Sequence, residues 1–232
     1  MRNGVKKSEL EQLINDIHTH NINHHTREVY LHGSHDTMDG QEPGIEYRMA
    51  DVFLKNVHLL NNKGGDNILV HMHTIGGAWP DGMAIFNAIR YSAASVTILA
   101  HSDPSSMSGV ILQAADLRVL MPDVYFMIHH GSIGIEANST AAKQAIDMSE
   151  KICKRMLQIF AKRATIGTYF RDRKYSVAKI ASYLDRKIHD KSDWYLSADE
   201  AIYYGFADAI LGQKGFEDIQ KIRDCQKFKG DI

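Results

Sequence analysis

One serine, one histidine and a pair of glycines stand where apolar runs of this chain end, the places from which polar groups can reach a ligand. Ser106 lies in SDPSSMSG (102–109), between the run VTILA and an apolar helical pattern. A serine at such a junction can expose its Oγ beside the N–H groups that a helix start leaves free. Ser and Asp there also suit plain helix capping. The segment is not a GxSxG elbow, so that motif does not apply. His129 closes the run YFMIHHG (125–131). An imidazole at the C-terminal end of an apolar strand is suited to general base chemistry, because it titrates near neutral pH. It is equally suited to a structural hydrogen bond. The glycines Gly76 and Gly77 of HTIGG (73–77) follow the run NILVHM. They permit close backbone approach and can aim N–H groups at a developing negative charge, or simply make a turn.

The histidines raise metal binding as a second chemistry. His18, His20, His24 and His25 cluster near the N-terminus, and the i,i+2 spacing of His71 and His73 puts both on one strand face. The first group has no closing Cys or carboxylate at a recognised spacing, so neither a metal nor a cofactor is expected. His73, beside the glycine turn, is instead placed to contact a substrate. Two cysteines occur, Cys153 and Cys225, far apart and without CxxC spacing. That suits a reducing compartment and excludes a disulfide framework.

The elements that would position these residues can be read from periodicity. Residues 27–32, 67–72 and 95–100 are short runs rich in Val, Ile and Leu and predict strands, as do 118–120 and 125–128. Helices are expected over 46–60 and 81–91, where Met83, Phe86 and Ile89 recur at helical spacing, and again after Ser105. Strands alternating with crossover helices imply a largely parallel sheet covered on both sides.

Over 140–164 the pattern changes to one long amphipathic helix, with Ala142, Ile146, Ile152, Cys153, Met156, Leu157 and Phe160 on its apolar stripe. Residues 167–174 are polar and predict a loop. A further helix runs to about residue 190, and 198–204 makes another. The tail after Gly215 is charged and lacks a core pattern. No repeat, low-complexity tract or interdomain linker is present. The expected organisation is one domain over 1–232, with an N-terminal segment (1–26) and a helical region over 140–190 that projects from the body.

With 232 residues, 44% of them hydrophobic, the chain can bury one substantial core. Charged residues make up 24% and the formal net charge is −1, so no global field draws it to nucleic acid or an anionic membrane. Polar residues interrupt the N-terminus every few positions, unlike a signal peptide. No stretch approaches the roughly 18 apolar residues of a membrane span. The expected setting is cytoplasmic.

Taken together and in order, these segments resemble one family, the proteolytic subunits of Clp proteases, within the crotonase-like superfamily. The family's strand followed by Ser-Pro-Gly-Gly is similar to Thr74-Ile75-Gly76-Gly77, and its Ala-Ser-Met-Gly to Ser105-Ser106-Met107-Ser108. Its Met-Ile-His stands as Met127-Ile128-His129. Its Asp-x-x-Leu-Ser-Ala stands as Asp193-Trp194-Tyr195-Leu196-Ser197-Ala198, continuing into DEAIYYGFADAIL. The likeness runs from about residue 27 to residue 211.

The resemblance implies an α/β fold of the crotonase and Clp-protease type, built of repeated β-β-α and βαβ units with a projecting handle helix. It also implies a serine endopeptidase acting on proteins or peptides, with Ser106 as nucleophile, His129 as base and Asp193 as orienting acid. Backbone N–H groups of Gly76 or Gly77 and of Met107 would receive the oxyanion, and no metal is needed. Asp190 is a substitute for Asp193 outside the matched motif. The region 140–164 would be the handle by which two seven-membered rings stack, enclosing the sites in a chamber. ATP dependence would come from an AAA+ unfoldase partner, although a polar, histidine-rich N-terminus and an insertion-like stretch over 34–46 replace the usual docking segment.

The chain departs from the family pattern at Pro104, Ser105 and Ser108 around the serine, and at His130-Gly131, where the family has Gln-Pro. Two other functions compete with an active peptidase: a catalytically silent ring subunit, and an acyl-CoA enzyme of the crotonase fold. The latter leaves the serine, histidine and aspartate at their peptidase positions unexplained.

Overall fold

The structure, a computed structural model, describes residues 8–33, 42–132, 134, 136 and 138–224. Most of the insertion-like stretch, and Cys225, lie outside the described residues. The chain begins with helix α1 (Glu9–His20), closed at its start by a reciprocal Ser8–Glu11 capping box and burying no side chain. It continues through β1 (Ile22–Asn23), β2 (Glu28–His32), α2 (Tyr47–Lys63), β3 (Ile68–His73), α3 (Trp79–Arg90), β4 (Val96–Ala100), α4 (Ser106–Leu112) and β5 (Leu117–Leu120). Then come β6 (Tyr125–Ile128), α5 (Ser139–Ala164), α6 (Thr168–Asp172), α7 (Val177–Lys191), β7 (Trp194–Ser197), α8 (Ala198–Tyr204), β8 (Ala209–Ile210) and α9 (Ile219–Arg223).

The central sheet has the order β1-β2-β3-β4-β5-β8, antiparallel between β1 and β2 and parallel throughout the rest. Its strands are buried on both faces, which is why they read as continuous apolar runs instead of alternating ones. Ile68, Val70 and Met72 of β3 face the larger core with the helices. Leu69 faces a smaller cluster with Leu99, Leu117, Val119 and Ile222.

Three expectations need correction. The strand 125–128 is not part of the parallel sheet: β6 pairs antiparallel with β7 in a separate two-stranded ribbon. The segment 167–174 is not a loop, because Thr168–Asp172 forms the short helix α6 around a fully buried Phe170. The tail does carry a core residue, Ile222 of α9, buried completely on the outer face of the sheet. One contact by a single side chain leaves no periodicity for a sequence to display.

The helix α5 has 26 residues, about 39 Å at 1.5 Å per residue. Its buried side chains begin only at Met156, while Ile146 and Met148 on the earlier half are 48% and 55% exposed. Against it lies α7. No helix among the described residues is long and apolar enough to cross a membrane.

Candidate active site

Strand register brings the histidine and the aspartate together. In the β6–β7 ribbon Ile128 pairs with Trp194, so the residue after one strand and the residue before the other are neighbours across the ladder. Those residues are His129 and Asp193. Their Nδ1 and Oδ1 atoms lie 3.2 Å apart, with the two side chains 26% and 46% exposed. A carboxylate only accepts, so it favours the proton on Nδ1 and leaves Nε2 as an acceptor. The Ser106 Oγ lies 2.7 Å from that Nε2. A hydroxyl donating to Nε2, which faces a carboxylate through Nδ1, is the arrangement that generates an alkoxide-like oxygen.

The serine is carried by a tied-down turn. A parallel bridge joins Ser105 to Met127, two residues before His129, and the Met127 N–H donates to the Pro104 carbonyl at 3.3 Å. Pro104 is thus used for its carbonyl, and its missing N–H leaves no donor unpaired. Ser106 itself has φ of 53°, a left-handed conformation rare for a side chain other than glycine. Ser105 occupies the cap position of α4 without a side-chain cap hydrogen bond, so capping does not account for the serine pair. Ser108, fully buried, turns its hydroxyl onto the Ser105 carbonyl at 2.6 Å.

Facing this turn is the glycine pair. Gly76 has φ of 125°, and a Cβ there would come within 2.9 Å of the Ser105 carbonyl oxygen and the Ser106 Cβ. Gly77 bridges Ile45 in parallel register: the Ile45 N–H donates to Gly76 O at 2.7 Å and the Ala78 N–H to Ile45 O at 2.8 Å. In a parallel bridge the central residue directs its own N–H away from the partner, so the Gly77 N–H is left to other acceptors. Met107 is the second residue of α4, where an N–H has no acceptor within the helix.

Ser106 and His129 open onto a cavity of about 550 Å³. It is lined by the turn Gly77–Trp79 and by Met148, Ile152 and Met156 of α5. The sequence assigned Ile152 and Met156 to an undivided apolar stripe. That part of the stripe borders a cavity was invisible, because a helix face looks the same whether it meets core or ligand. Trp79 was missed altogether, and its place two residues after the glycine pair was the available signal.

Asp190 sits by His189 at 3.7 Å, largely exposed, and does not replace Asp193. His73 is exposed at the end of β3. His71 lies 2.9 Å from His101 through Nδ1 and 3.6 Å from Glu28 through Nε2. The His24 ring lies 4.0 Å from that of His25, tilted by 36°, and faces Asp16 at 3.7 Å, and burial first, then His25, hold its imidazole below the usual histidine range. Among the described residues no group of three or more His, Cys, Asp or Glu side chains is disposed to hold a metal ion.

A mostly parallel sheet flanked by helices, with an antiparallel ribbon beside it, is a fold of the Clp-protease type. The family model for Clp protease matches residues 40–214. The chain is 26% identical to the ATP-dependent Clp protease proteolytic subunit of Deinococcus radiodurans over 172 residues, 73% of this chain and 77% of that protein. It is 27% identical to proteolytic subunit 2 of Pseudomonas aeruginosa over 170 residues, 72% and 77% of the two chains. Identity to the proteolytic subunit of Pleurastrum terricola is 25% over 162 residues, 68% and 74%. This chain belongs to the Clp protease family, and its homology to these subunits supports a proteolytic function.

Proposed function

We propose that the protein is a serine endopeptidase in which Ser106 attacks the peptide carbonyl, His129 moves the proton and Asp193 holds the imidazole. The observation that carries this reading is the continuous line Ser106 Oγ, His129 Nε2, His129 Nδ1, Asp193 Oδ1, at 2.7 and 3.2 Å. His129 takes the Ser106 proton as the Oγ–carbon bond forms and passes it to the leaving amine. A water then repeats the sequence on the acyl-enzyme. The Gly77 and Met107 N–H groups are the proposed oxyanion donors, with Gly76 permitting the close approach. Trp79, Met148, Ile152 and Met156 suit an apolar substrate side chain beside the scissile bond.

The ring assembly belongs to the same proposal. Ile146, exposed on the first half of α5 and off the side of the helix that lines the cavity, would be covered by a second subunit. Delivery of folded substrates by an ATP-driven unfoldase, the source of the ATP dependence in the relatives' names, would be a partner's contribution.

The test is labelling with a fluorophosphonate probe, followed by mass mapping of the adduct and native mass measurement of the assembly. Labelling at Ser106 that is absent in Ser106→Ala and reduced in His129→Ala is expected, together with cleavage of peptides bearing a large apolar residue before the scissile bond. An assembled ring that takes up no label would instead mark a silent subunit.

A further inference from the structure

His129 stands just past the end of β6, outside the ladder that holds Ile128, so something else has to hold the backbone that carries it. The next residue supplies two ties. The His130 Nε2 lies 3.1 Å from Asp185 Oδ1 on α7, and the His130 carbonyl accepts from the Cys153 Sγ on α5 at 3.3 Å. Burial pushes the Cys153 thiol up, which keeps it protonated as a donor at neutral pH. Beyond, Gly131 turns the chain with φ of 82°. His130 and Gly131 also border the cavity.

We propose that His130 and Asp185 form a positioning pair: the contact fastens the β6 exit to α7 and so fixes where the His129 imidazole sits relative to Ser106. Two consecutive histidines thus each face their own aspartate, His129 meeting Asp193 at the start of β7 and His130 meeting Asp185 on α7. The second contact touches no reacting atom and acts through the backbone it restrains. Angular freedom at the base would lengthen the Ser106–His129 hydrogen bond, and small misplacements of reacting groups lower rates steeply. The inference rests on the proposed peptidase reading of Ser106 and His129.

The test is the second-order rate of fluorophosphonate inactivation in the full-length protein. Asp185→Ala and His130→Ala are each expected to be about tenfold slower than wild type, since an error well under 1 Å costs less than the hundredfold of a full 1 Å. The double variant should be no slower than either single one, because both remove one interaction. Asp185→Asn and His130→Gln can still form a hydrogen bond and should return close to the wild-type rate. Asp185 does not border the cavity, so with a peptide substrate its loss should fall on kcat and leave KM unchanged. Asp190→Ala, on the same helix and exposed, should react like wild type. Asp185 is itself 59% exposed, so its removal leaves folding intact. A wild type that labels while Asp185→Ala labels equally fast overturns the pair, as does a double variant that loses the product of the two single effects. An unlabelled wild type overturns the peptidase reading, and the pair with it.

Discussion

Ser106 keeps its left-handed backbone because its neighbours hold it there: the Ser105–Met127 bridge on one side and Gly76 pressed against it on the other. A left-handed conformation costs a non-glycine residue on the order of 1–2 kcal/mol, so it persists only where contacts over-determine it. Gly76→Ala is the sharpest probe of that arrangement. Its methyl would need to enter space 2.9 Å from the Ser105 oxygen, at a φ of 125° that side chains avoid. Fluorophosphonate labelling of Ser106 in Gly76→Ala is expected to fall by about 10²-fold or more, with far-ultraviolet circular dichroism unchanged. A variant labelling at the wild-type rate would show that the glycine turn does not shape the serine. The types of these residues were legible in the sequence. Nothing in SSMS announces a positive φ, which is imposed by what packs around the turn.

Elements were legible in proportion to their length and to how many side chains they bury. The strand Val96–Ala100, buried at every position, could hardly be read otherwise, and α8 opens with a Ser197–Glu200 capping box written in its sequence. The five residues of α6 are too few to show a period, and α9 buries one side chain. Ile222 nevertheless fills the smaller cluster on the sheet's outer face, while the neighbouring Arg223 meets Glu28 at 3.1 Å and its carbonyl accepts from Asn67 at 2.8 Å. Ile222→Ala should therefore cost about 2–5 kcal/mol, the usual range for such a truncation in a core. The measurement is the urea midpoint. A midpoint unchanged from wild type would mean that α9 is not docked in solution.

Across the whole molecule one buried charge network joins segments distant in sequence. Arg118 is fully buried in β5 and donates to Asp208, Gln113 and the Gly205 carbonyl. Arg163 of α5 comes within 4.0 Å of the same carboxylate. Burial, then Arg118, lower the Arg163 pKa to about 10. Burial by itself would raise the Asp208 carboxyl, but the guanidinium of Arg118, with Arg163 behind it, outweighs this and holds it below its ordinary 3.8. Asp208→Asn removes the anion that two guanidinium groups share, and should destabilise by about 3–5 kcal/mol, as breaking a buried pair does. A carboxyl depressed on folding contributes stability that is complete above its unfolded pKa and drains away as pH falls through the folded one. Wild type should accordingly lose stability below about pH 4, and Asp208→Asn should lose less over the same interval. Equal acid slopes of the urea midpoint for both proteins would refute the assignment.

By itself the sequence determined strands β2 to β6, the long helix and the residue types at the site, because period, length and side-chain chemistry are local properties; the short strands β1, β7 and β8 carry too few residues to show a period. The order of its four segments also carried the family resemblance. Only the tertiary structure decided which aspartate meets His129. Asp190 and Asp193 lie three residues apart, and the choice between them is made by the pairing of Ile128 with Trp194. Likewise, the separation of β6 from the parallel sheet, the left-handed Ser106 and the docking of Ile222 arise from contacts between segments far apart in the chain. Such contacts depend on which distant segments meet, and the local pattern of either segment leaves that choice open.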